Sequence, residues 1–229
     1  MKTNKEITVI FDLDGTLLNT IDDLGRACNH ALEQTGFPTH PAESYPVKVG
    51  NGINNLIRRA LPETERTEEN IMRVRHFFVP YYDEHNCDFT HPYEGIPEVL
   101  AALKAQGCRL AVASNKYQAA TEKIVNRFFP GVFDVILGER EGIERKPNPQ
   151  IVFDIINALN ECGERSLDVR CDTLYVGDSL VDRDTAGNAG VPFVACSWGF
   201  VPRQQLAEAG IATIVDRPEE ILRHIGEIQ

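Results

Sequence analysis

The stretch that decides the fold reads Ile7-Thr8-Val9-Ile10-Phe11-Asp12-Leu13-Asp14-Gly15-Thr16. Its first five residues favour β structure and are mostly apolar, which predicts a buried strand. Side chains alternate between the faces of a strand, so Asp12 and Asp14 would point the same way if the strand continued. Two carboxylates held close together repel each other unless a cation or a proton lies between them. The strand end is therefore a candidate metal and catalytic site, although Asp-Gly is also common in simple solvated turns.

Three helical segments are predicted after this first strand. Apolar side chains recur every three or four positions in each of them, over residues 20–36, 53–61 and 67–81. Thr20 and Asp23 have the spacing of a capping box at the start of the first helix, and Pro80 would kink or end the third. No strand is predicted between these helices. Residues 18–89 are therefore predicted to form a small all-helical domain, and residues 86–95 to return the chain.

Strands and helices alternate in the rest of the chain. Strands are predicted over residues 109–113, 135–137, 173–176, 192–195 and 212–215, with helices over residues 96–106, 117–128, 149–160, 182–189, 202–209 and 218–226. Such alternation predicts a parallel sheet with helices on both faces. Residues 1–17 and 90–229 are thus predicted to form a doubly wound, Rossmann-like α/β core. Ligands of these sheets bind outside the carboxyl ends of the strands.

Polar residues stand at several of these strand ends. Ser114-Asn115-Lys116 follows one predicted strand, Gly177-Asp178-Ser179 with Asp182 follows another, and Lys146-Pro147 precedes a helix. Each alone has a structural explanation, because Ser and Asp cap helices and a loop lysine is commonly solvated. All of them are expected on the same side of the sheet as Asp12 and Asp14. This joint placement favours a functional site.

The residue types in this set support phosphoryl transfer. A carboxylate can attack phosphorus to form an aspartyl-phosphate, and a second carboxylic acid can protonate the leaving alcohol and later deprotonate water. Asp12 and Asp14 fit these two tasks. Lys146 would add a fixed positive charge, and the Ser114 hydroxyl would donate to phosphate oxygens. Carboxylate ligands that leave room for water suit Mg²⁺ as the charge-neutralising ion.

In order and context, these four groups resemble the four motifs of the haloacid dehalogenase-like hydrolase superfamily. The resemblance covers the whole chain and puts residues 18–89 at the position of that family's cap domain. It implies that Asp12 is the nucleophile and that Asp14 is the general acid and base. It also implies that Lys146 neutralises the phosphoryl group and orients Asp12.

The same resemblance implies a binding set around these catalytic residues. Mg²⁺ would be held by Asp12, by Asp178 and by the backbone carbonyl of Asp14, with Ser179 and Asp182 in support. Asp182 would sooner support Lys146 and metal-bound water than bind the metal directly. Ser114 would bind the phosphoryl group. The other expected substrate or phosphate contacts are Thr16, Asn51, Asn115 and Lys116.

Within the superfamily, the chain looks most like phosphoglycolate phosphatases. The features that carry this similarity are Val49-Gly50-Asn51-Gly52, Ser114-Asn115-Lys116, the run from Gly177 to Gly190 and Ser197-Trp198-Gly199-Phe200. The family more often has Thr at position 114, and Ser keeps the hydroxyl. The implied function is a Mg²⁺-dependent phosphatase for a small phosphorylated metabolite. Lys48, Asn51 and Arg58 would either meet a substrate carboxylate or lie solvated at helix ends.

Several related functions share these motifs. A pyrophosphatase, a nucleotidase, a sugar-phosphate phosphatase and a phosphomutase of the same superfamily stay open as alternatives. A dehalogenase is disfavoured, because cleavage of a carbon–halogen bond needs neither a leaving-group acid at Asp14 nor the metal ligands. A non-enzymatic phosphate or Mg²⁺ sensor is disfavoured by the helical domain and by Asp14.

The overall composition excludes other classes of protein. The chain has 229 residues, and 23 Lys and Arg against 34 Asp and Glu give it a net charge of −11. Nucleic acids and anionic membranes repel such a charge, so neither is an expected partner. No apolar run is long enough for a signal peptide or a membrane span, and the six cysteines form no C-x-x-C pair. We therefore expect a cytoplasmic protein with reduced thiols, working as a monomer or a homodimer.

Overall fold

The computed structural model describes residues 7–162, 168–169 and 172–228, with side chains described up to residue 226 except that of Cys162. Strands β1 to β8 span Thr8–Phe11, Leu18–Asn19, His91–Pro92, Arg109–Tyr117, Val135–Glu139, Thr173–Gly177, Phe193–Cys196 and Ile214–Val215. Helices α1 to α9 span Ile21–Thr35, Ile53–Ala60, Glu68–His85, Ile96–Ala105, Gln118–Phe128, Gln150–Cys162, Leu180–Ala189, Arg203–Glu208 and Ile221–Ile228. Short 3₁₀ turns lie at residues 42–44, 63–65 and 218–220.

Strand β1 lies in the middle of a six-stranded parallel sheet with the order β5-β4-β1-β6-β7-β8. It pairs with β4 and β6, so that Phe11 lies opposite Val112 on one side and Val176 on the other. Helices cover both faces. Val9 and Phe11 belong to a core with α4, α5 and α9, whereas Ile10 belongs to a second core with α6 and α7. The predicted doubly wound α/β fold is confirmed.

The predicted helical insertion is present between β2 and β3. Helix α1 packs against α3, and α2 packs against both of them. Helix α3 continues through Pro80 to His85, so the prediction that Pro80 might end the helix is wrong. Strands β2 and β3, which the sequence did not predict, pair antiparallel where the chain leaves the core and returns to it. The domain boundaries at residues 17/18 and 89/90 stay a prediction.

The predicted capping box at the start of α1 is wrong. Thr20 makes no side-chain capping bond, and its hydroxyl donates to Asp14 instead. The carboxylate of Asp23 is buried and accepts from the Phe89 amide, the Thr90 amide and the Thr90 hydroxyl. Four residues of local sequence cannot reveal a partner 67 positions away. Asp23 therefore fastens the returning chain to α1.

Three other features bear on the earlier predictions. Strand β4 runs through Ser114, Asn115 and Lys116 to Tyr117, four residues beyond the predicted end. The thiols of Cys28, Cys87, Cys108 and Cys196 are free, whereas Cys171 and the side chain of Cys162 lie outside the described part of the chain. Among the helices described, none has the length and apolar character needed to cross a bilayer.

Candidate active site

Three buried aspartates meet at the carboxyl edge of the sheet. Asp12 follows β1, Asp178 follows β6, and Asp182 lies in the first turn of α7. One carboxylate oxygen from each lies within 4.8 Å of the others, which is the spacing of a potential metal site. The predicted convergence of the first and fourth motifs at one place is therefore present.

Two glycines make room for Asp178. Gly15 has a φ of +89°, which disfavours any side chain, and a Cβ built there would lie 2.4 Å from Asp178 Oδ2. A Cβ on Gly199 would lie 2.3 Å from the Asp178 Cβ and 2.4 Å from the Gly15 carbonyl oxygen. The amide of Phe200 donates to Asp178 Oδ2 at 2.6 Å. The turn after β1 and the loop after β7 thus hold this carboxylate in place.

Lys146 reaches into the same cluster from the loop before α6. Its ammonium donates to Asp12 Oδ1 at 2.9 Å, to Asp182 Oδ1 at 2.8 Å and to the Ala113 carbonyl at 2.8 Å. Burial opposes its charge, but the neighbouring carboxylates of Asp12 and Asp182 outweigh it and raise the pKa of Lys146 well above its ordinary value. A permanent positive charge therefore lies beside Asp12.

Both oxygens of Asp182 already accept hydrogen bonds. Oδ1 faces Lys146, while Oδ2 accepts from the Ser179 hydroxyl at 2.6 Å and from the Ser179 amide at 3.2 Å. Ser179 and Asp182 together form a capping box at the start of α7. Ser179 and Asp182 thus cap the N-terminus of α7, and Asp182 also accepts a hydrogen bond from Lys146.

Burial makes two carboxylates of this cluster, those of Asp12 and Asp178, difficult to ionise. Desolvation and the charge of Asp182 raise the pKa of Asp12 to about 7, and the same two causes raise the pKa of Asp178 well above its usual range. With Asp14, the site holds four carboxylates and, with Lys146 and Lys116, two ammonium groups. At full ionisation the four carboxylates exceed the two ammonium groups by two negative charges. A hard divalent cation fits both this deficit and the all-oxygen donor set.

Asp14 lies next to Asp12 but has a separate set of partners. Its Oδ1 accepts from the Thr20 hydroxyl at 2.7 Å and lies 3.0 Å from the ammonium of Lys116. This ammonium also donates to the hydroxyl of Tyr82, which comes from α3, at 2.6 Å. Asp14 therefore lies where the helical insertion meets the sheet.

The second-motif residues lie together on the extended end of β4. Ser114 is buried, lines the cavity and accepts from the Lys116 amide. Asn115 accepts from the Lys146 amide at 2.9 Å and donates to the Lys146 carbonyl at 3.2 Å and the Gly50 carbonyl at 3.3 Å. Asn115 thus joins the Lys146 loop to the loop before α2.

Comparison with known proteins supports the same assignment. A family model described as haloacid dehalogenase-like hydrolase matches residues 9–196. The chain belongs to this family. It is 32% identical over 222 residues to a phosphoglycolate phosphatase of Cereibacter sphaeroides (strain ATCC 17025 / ATH 2.4.3), covering 95% of this chain and 98% of the relative. A phosphoglycolate phosphatase of Aquifex aeolicus (strain VF5) is 32% identical over 194 residues, covering 84% of this chain and 85% of the relative.

A solved structure gives the same result for the fold. The crystal structure of a protein from Lactobacillus delbrueckii subsp. bulgaricus superposes with a TM-score of 0.88 at 33% identity, covering 96% of this chain and 98% of that one. The prediction that the chain is a phosphatase of the haloacid dehalogenase-like hydrolase family is confirmed by these relatives and by the family match.

Two of the predicted binding residues of this hydrolase do not line the cavity. Thr16 is fully buried below it, where its carbonyl accepts from the Trp198 indole at 3.0 Å and its hydroxyl lies 3.8 Å from the Cys196 thiol. Asn51, in the amide orientation that satisfies its neighbours, donates to the Gly50 carbonyl and accepts from Arg59. The structure places Thr16 in the packing beside the site and Asn51 in the internal bonding of the loop before α2.

Some groups around the site were not predicted from the sequence. Thr20 bonds to Asp14 and Tyr82 bonds to Lys116, whereas Tyr175 accepts from Lys146 and donates to Asp182. The Phe200 amide bonds to Asp178. A tyrosine in an amphipathic helix, such as Tyr82 in α3, or in a buried strand, such as Tyr175 in β6, has the pattern of a core residue, so no sequence signal marks either of them. Phe200 bonds to Asp178 through its backbone amide, which any residue other than proline carries.

Proposed function

We propose that the protein is a Mg²⁺-dependent phosphatase that hydrolyses 2-phosphoglycolate through an aspartyl-phosphate on Asp12. The observation that carries this proposal is that the Asp12 carboxylate accepts from the buried ammonium of Lys146 and has an oxygen within 4.8 Å of one of the buried Asp178 carboxylate. The names of the relatives support the choice of substrate. The family resemblance supports Mg²⁺, for which Asp12, Asp178 and the Asp14 carbonyl are the proposed ligands.

In the first half of the reaction, a carboxylate oxygen of Asp12 forms a bond to phosphorus while the bond from phosphorus to the ester oxygen breaks. The electron pair stays on the ester oxygen, which takes a proton from Asp14. Lys146 balances charge on the phosphoryl oxygens and keeps Asp12 oriented, and Ser114 donates to one of these oxygens. Mg²⁺, when bound, supplies further neutralisation of the phosphoryl charge.

In the second half, water attacks the aspartyl-phosphate and gives its proton to Asp14. The bond from phosphorus to Asp12 breaks, so that phosphate leaves and both carboxyl groups return to their starting states. Asp182 takes no part in bond changes. Its proposed task is to hold Lys146, for which its two oxygens are already engaged.

The helical segment of residues 18–89 is proposed to act as a cap over this site. Leu24, Ile53, Leu56 and Tyr82 of the helices line the same cavity as Asp12 and Asp14. Closure over substrate would exclude water that competes with the first half of the reaction. Free thiols on four described cysteines support a reducing, cytoplasmic location, where the enzyme would work as a monomer or homodimer.

The test is a phosphate-release assay. We expect release from 2-phosphoglycolate with Mg²⁺, none with EDTA, and a loss of at least about 1,000-fold in Asp12→Asn, which lacks the nucleophile. Asp22→Asn, a neutral replacement of an exposed aspartate in α1, is the matched control and should retain activity. Undiminished turnover by Asp12→Asn would exclude the proposed nucleophile. Preferred release from pyrophosphate, nucleoside monophosphates or sugar phosphates would exclude the proposed substrate.

A further inference from the structure

The cavity above the catalytic carboxylates is apolar on the side of the helical insertion. Its wall there consists of Leu24, Pro46, Val49, Ile53 and Leu56, with Phe200 and Val201 on the core side. An anionic group that enters such a wall loses hydration and must find a cation or several donors to compensate. A leaving group that carries a negative charge is therefore accepted only where a cationic side chain can contact that charge.

Three cationic side chains of the cap, in the loop before α2 or on α2, bond to other groups and do not line this cavity. The ammonium of Lys48 donates to the Ser44 carbonyl, Arg58 pairs with Glu68, and Arg59 donates to the carbonyls of Lys48 and Val49. Among the described residues, Lys116 is the one cationic side chain that lines the cavity. The expectation that Lys48 or Arg58 would meet a substrate carboxylate therefore finds no support in their positions.

Lys116 is held beside the place where the leaving group must lie. Its side chain is 4% exposed, and its ammonium lies 3.0 Å from Asp14 Oδ1, the proposed proton donor to the ester oxygen. Tyr82 holds the ammonium from the cap side. An ammonium has three donors, and these two contacts use two of them. One N–H of Lys116 thus remains for a substrate group close to the ester oxygen.

We propose that Lys116 selects the leaving group by binding a carboxylate carried on the carbon next to the ester oxygen. The substrate class is then the phosphate esters of small 2-hydroxy carboxylic acids, whose hydrocarbon part contacts the apolar wall. This inference rests on the proposed phosphatase function and adds the residue that makes it selective. Lys116 binds the organic part of the substrate, while Lys146 and Ser114 bind its phosphoryl group.

The experiment compares two substrates that differ in one group. 2-Phosphoglycolate carries the carboxylate, and 2-hydroxyethyl phosphate has a neutral hydroxymethyl group in its place. We expect the wild-type protein to favour 2-phosphoglycolate in kcat/KM, and Lys116→Met to lower this preference roughly 10- to 100-fold, the range of one charge-assisted hydrogen bond. The loss should appear mainly as a higher KM for 2-phosphoglycolate. Lys104→Met, which removes a surface ammonium paired with Asp134, is the control and should leave the preference unchanged.

Three results would overturn the inference. A wild-type ratio of kcat/KM for the two substrates near one would show that the carboxylate is not recognised. An equal loss on both substrates in Lys116→Met would show that Lys116 only positions Asp14 and Tyr82. If Lys116→Met does not fold, Lys116→Gln is tested instead. Retention of the preference for 2-phosphoglycolate in that variant would exclude the Lys116 ammonium as the carboxylate partner. Failure of the proposed function is distinct, because neither substrate would then release phosphate in a manner that depends on Asp12.

Discussion

The charge of Asp12 is predicted to destabilise the protein when no metal is bound. Burial raises the pKa of this carboxyl from 3.8 to about 7, with a further contribution from the charge of Asp182. The folded protein therefore binds a proton at Asp12 more tightly than the unfolded chain does. The free energy of unfolding must then fall as the pH rises through the interval between about 4 and 7. Asp12→Asn removes the contribution of Asp12 to this dependence, while that of Asp178 remains, and it keeps an oxygen that can accept from Lys146.

The size of the effect follows from the difference between the two pKa values. A rise of about 3 in pKa, at about 1.4 kcal/mol for each unit, sets an upper limit of about 4 kcal/mol at pH 8. Part of it is offset, because the variant leaves Lys146 with one carboxylate partner instead of two. We expect Asp12→Asn to be more stable than the wild type by about 1–2 kcal/mol at pH 8, or roughly 2–8 °C in Tm.

The assay is denaturant unfolding of the wild type, Asp12→Asn and Asp22→Asn in EDTA at pH 5.5 and pH 8. Asp22→Asn controls for the loss of one negative charge at an exposed site. The stability gain of Asp12→Asn should be larger at pH 8 than at pH 5.5, and excess Mg²⁺ should stabilise the wild type more than this variant. If the free energy of unfolding changed equally with pH in all three proteins, the argument that the buried charge of Asp12 destabilises the fold would be refuted.

Three further predictions concern the surroundings of this cluster. Gly199→Ala should weaken Mg²⁺ binding at least about 10-fold, because its Cβ would displace Asp178; calorimetry measures this, and unchanged affinity would contradict it, with Gly187→Ala, which meets no neighbour, as control. Lys146→Met should lower kcat at least about 100-fold, since the phosphoryl charge loses its fixed partner; steady-state kinetics measure this, and a near-normal kcat would exclude the role. Asp23→Asn should lower the free energy of unfolding by about 1–3 kcal/mol, because one of its oxygens becomes a donor that faces donors; equal stability with Asp22→Asn would exclude the predicted anchor.

The positions of the charged residues could be predicted because they are set by backbone topology. Parallel strands place their carboxyl ends on one edge, so Asp12, Asp178 and Ser114 had to meet once the alternation of strands and helices was recognised. The extension of β4 through Lys116 was not predictable in the same way. Polar residues do not continue an apolar strand pattern, and they remain extended here because the Asn115 side chain bonds to Lys146 and Gly50.

Partners that depend on side-chain contacts between distant segments were missed or misassigned. Thr20 and Asp23 have the spacing of a local cap, but each finds a stronger partner elsewhere, at Asp14 and at the chain around Thr90. The sequence shows which groups a side chain is able to bond, whereas tertiary packing decides which of the possible partners is near. Tyr82 is the clearest case, because its hydroxyl contacts Lys116 through the packing of α3 near the carboxyl end of β4.

The short ribbon formed by β2 and β3 has a consequence for how enzymes of this shape can diversify. The outgoing and incoming backbones pair antiparallel, with Leu18 opposite Pro92 and Asn19 opposite His91. An inserted module that is attached at one narrow neck can be lengthened, shortened or exchanged without altering the hydrogen bonds of the main sheet. Different inserted segments, with different substrate preferences, can therefore evolve over the same catalytic residues.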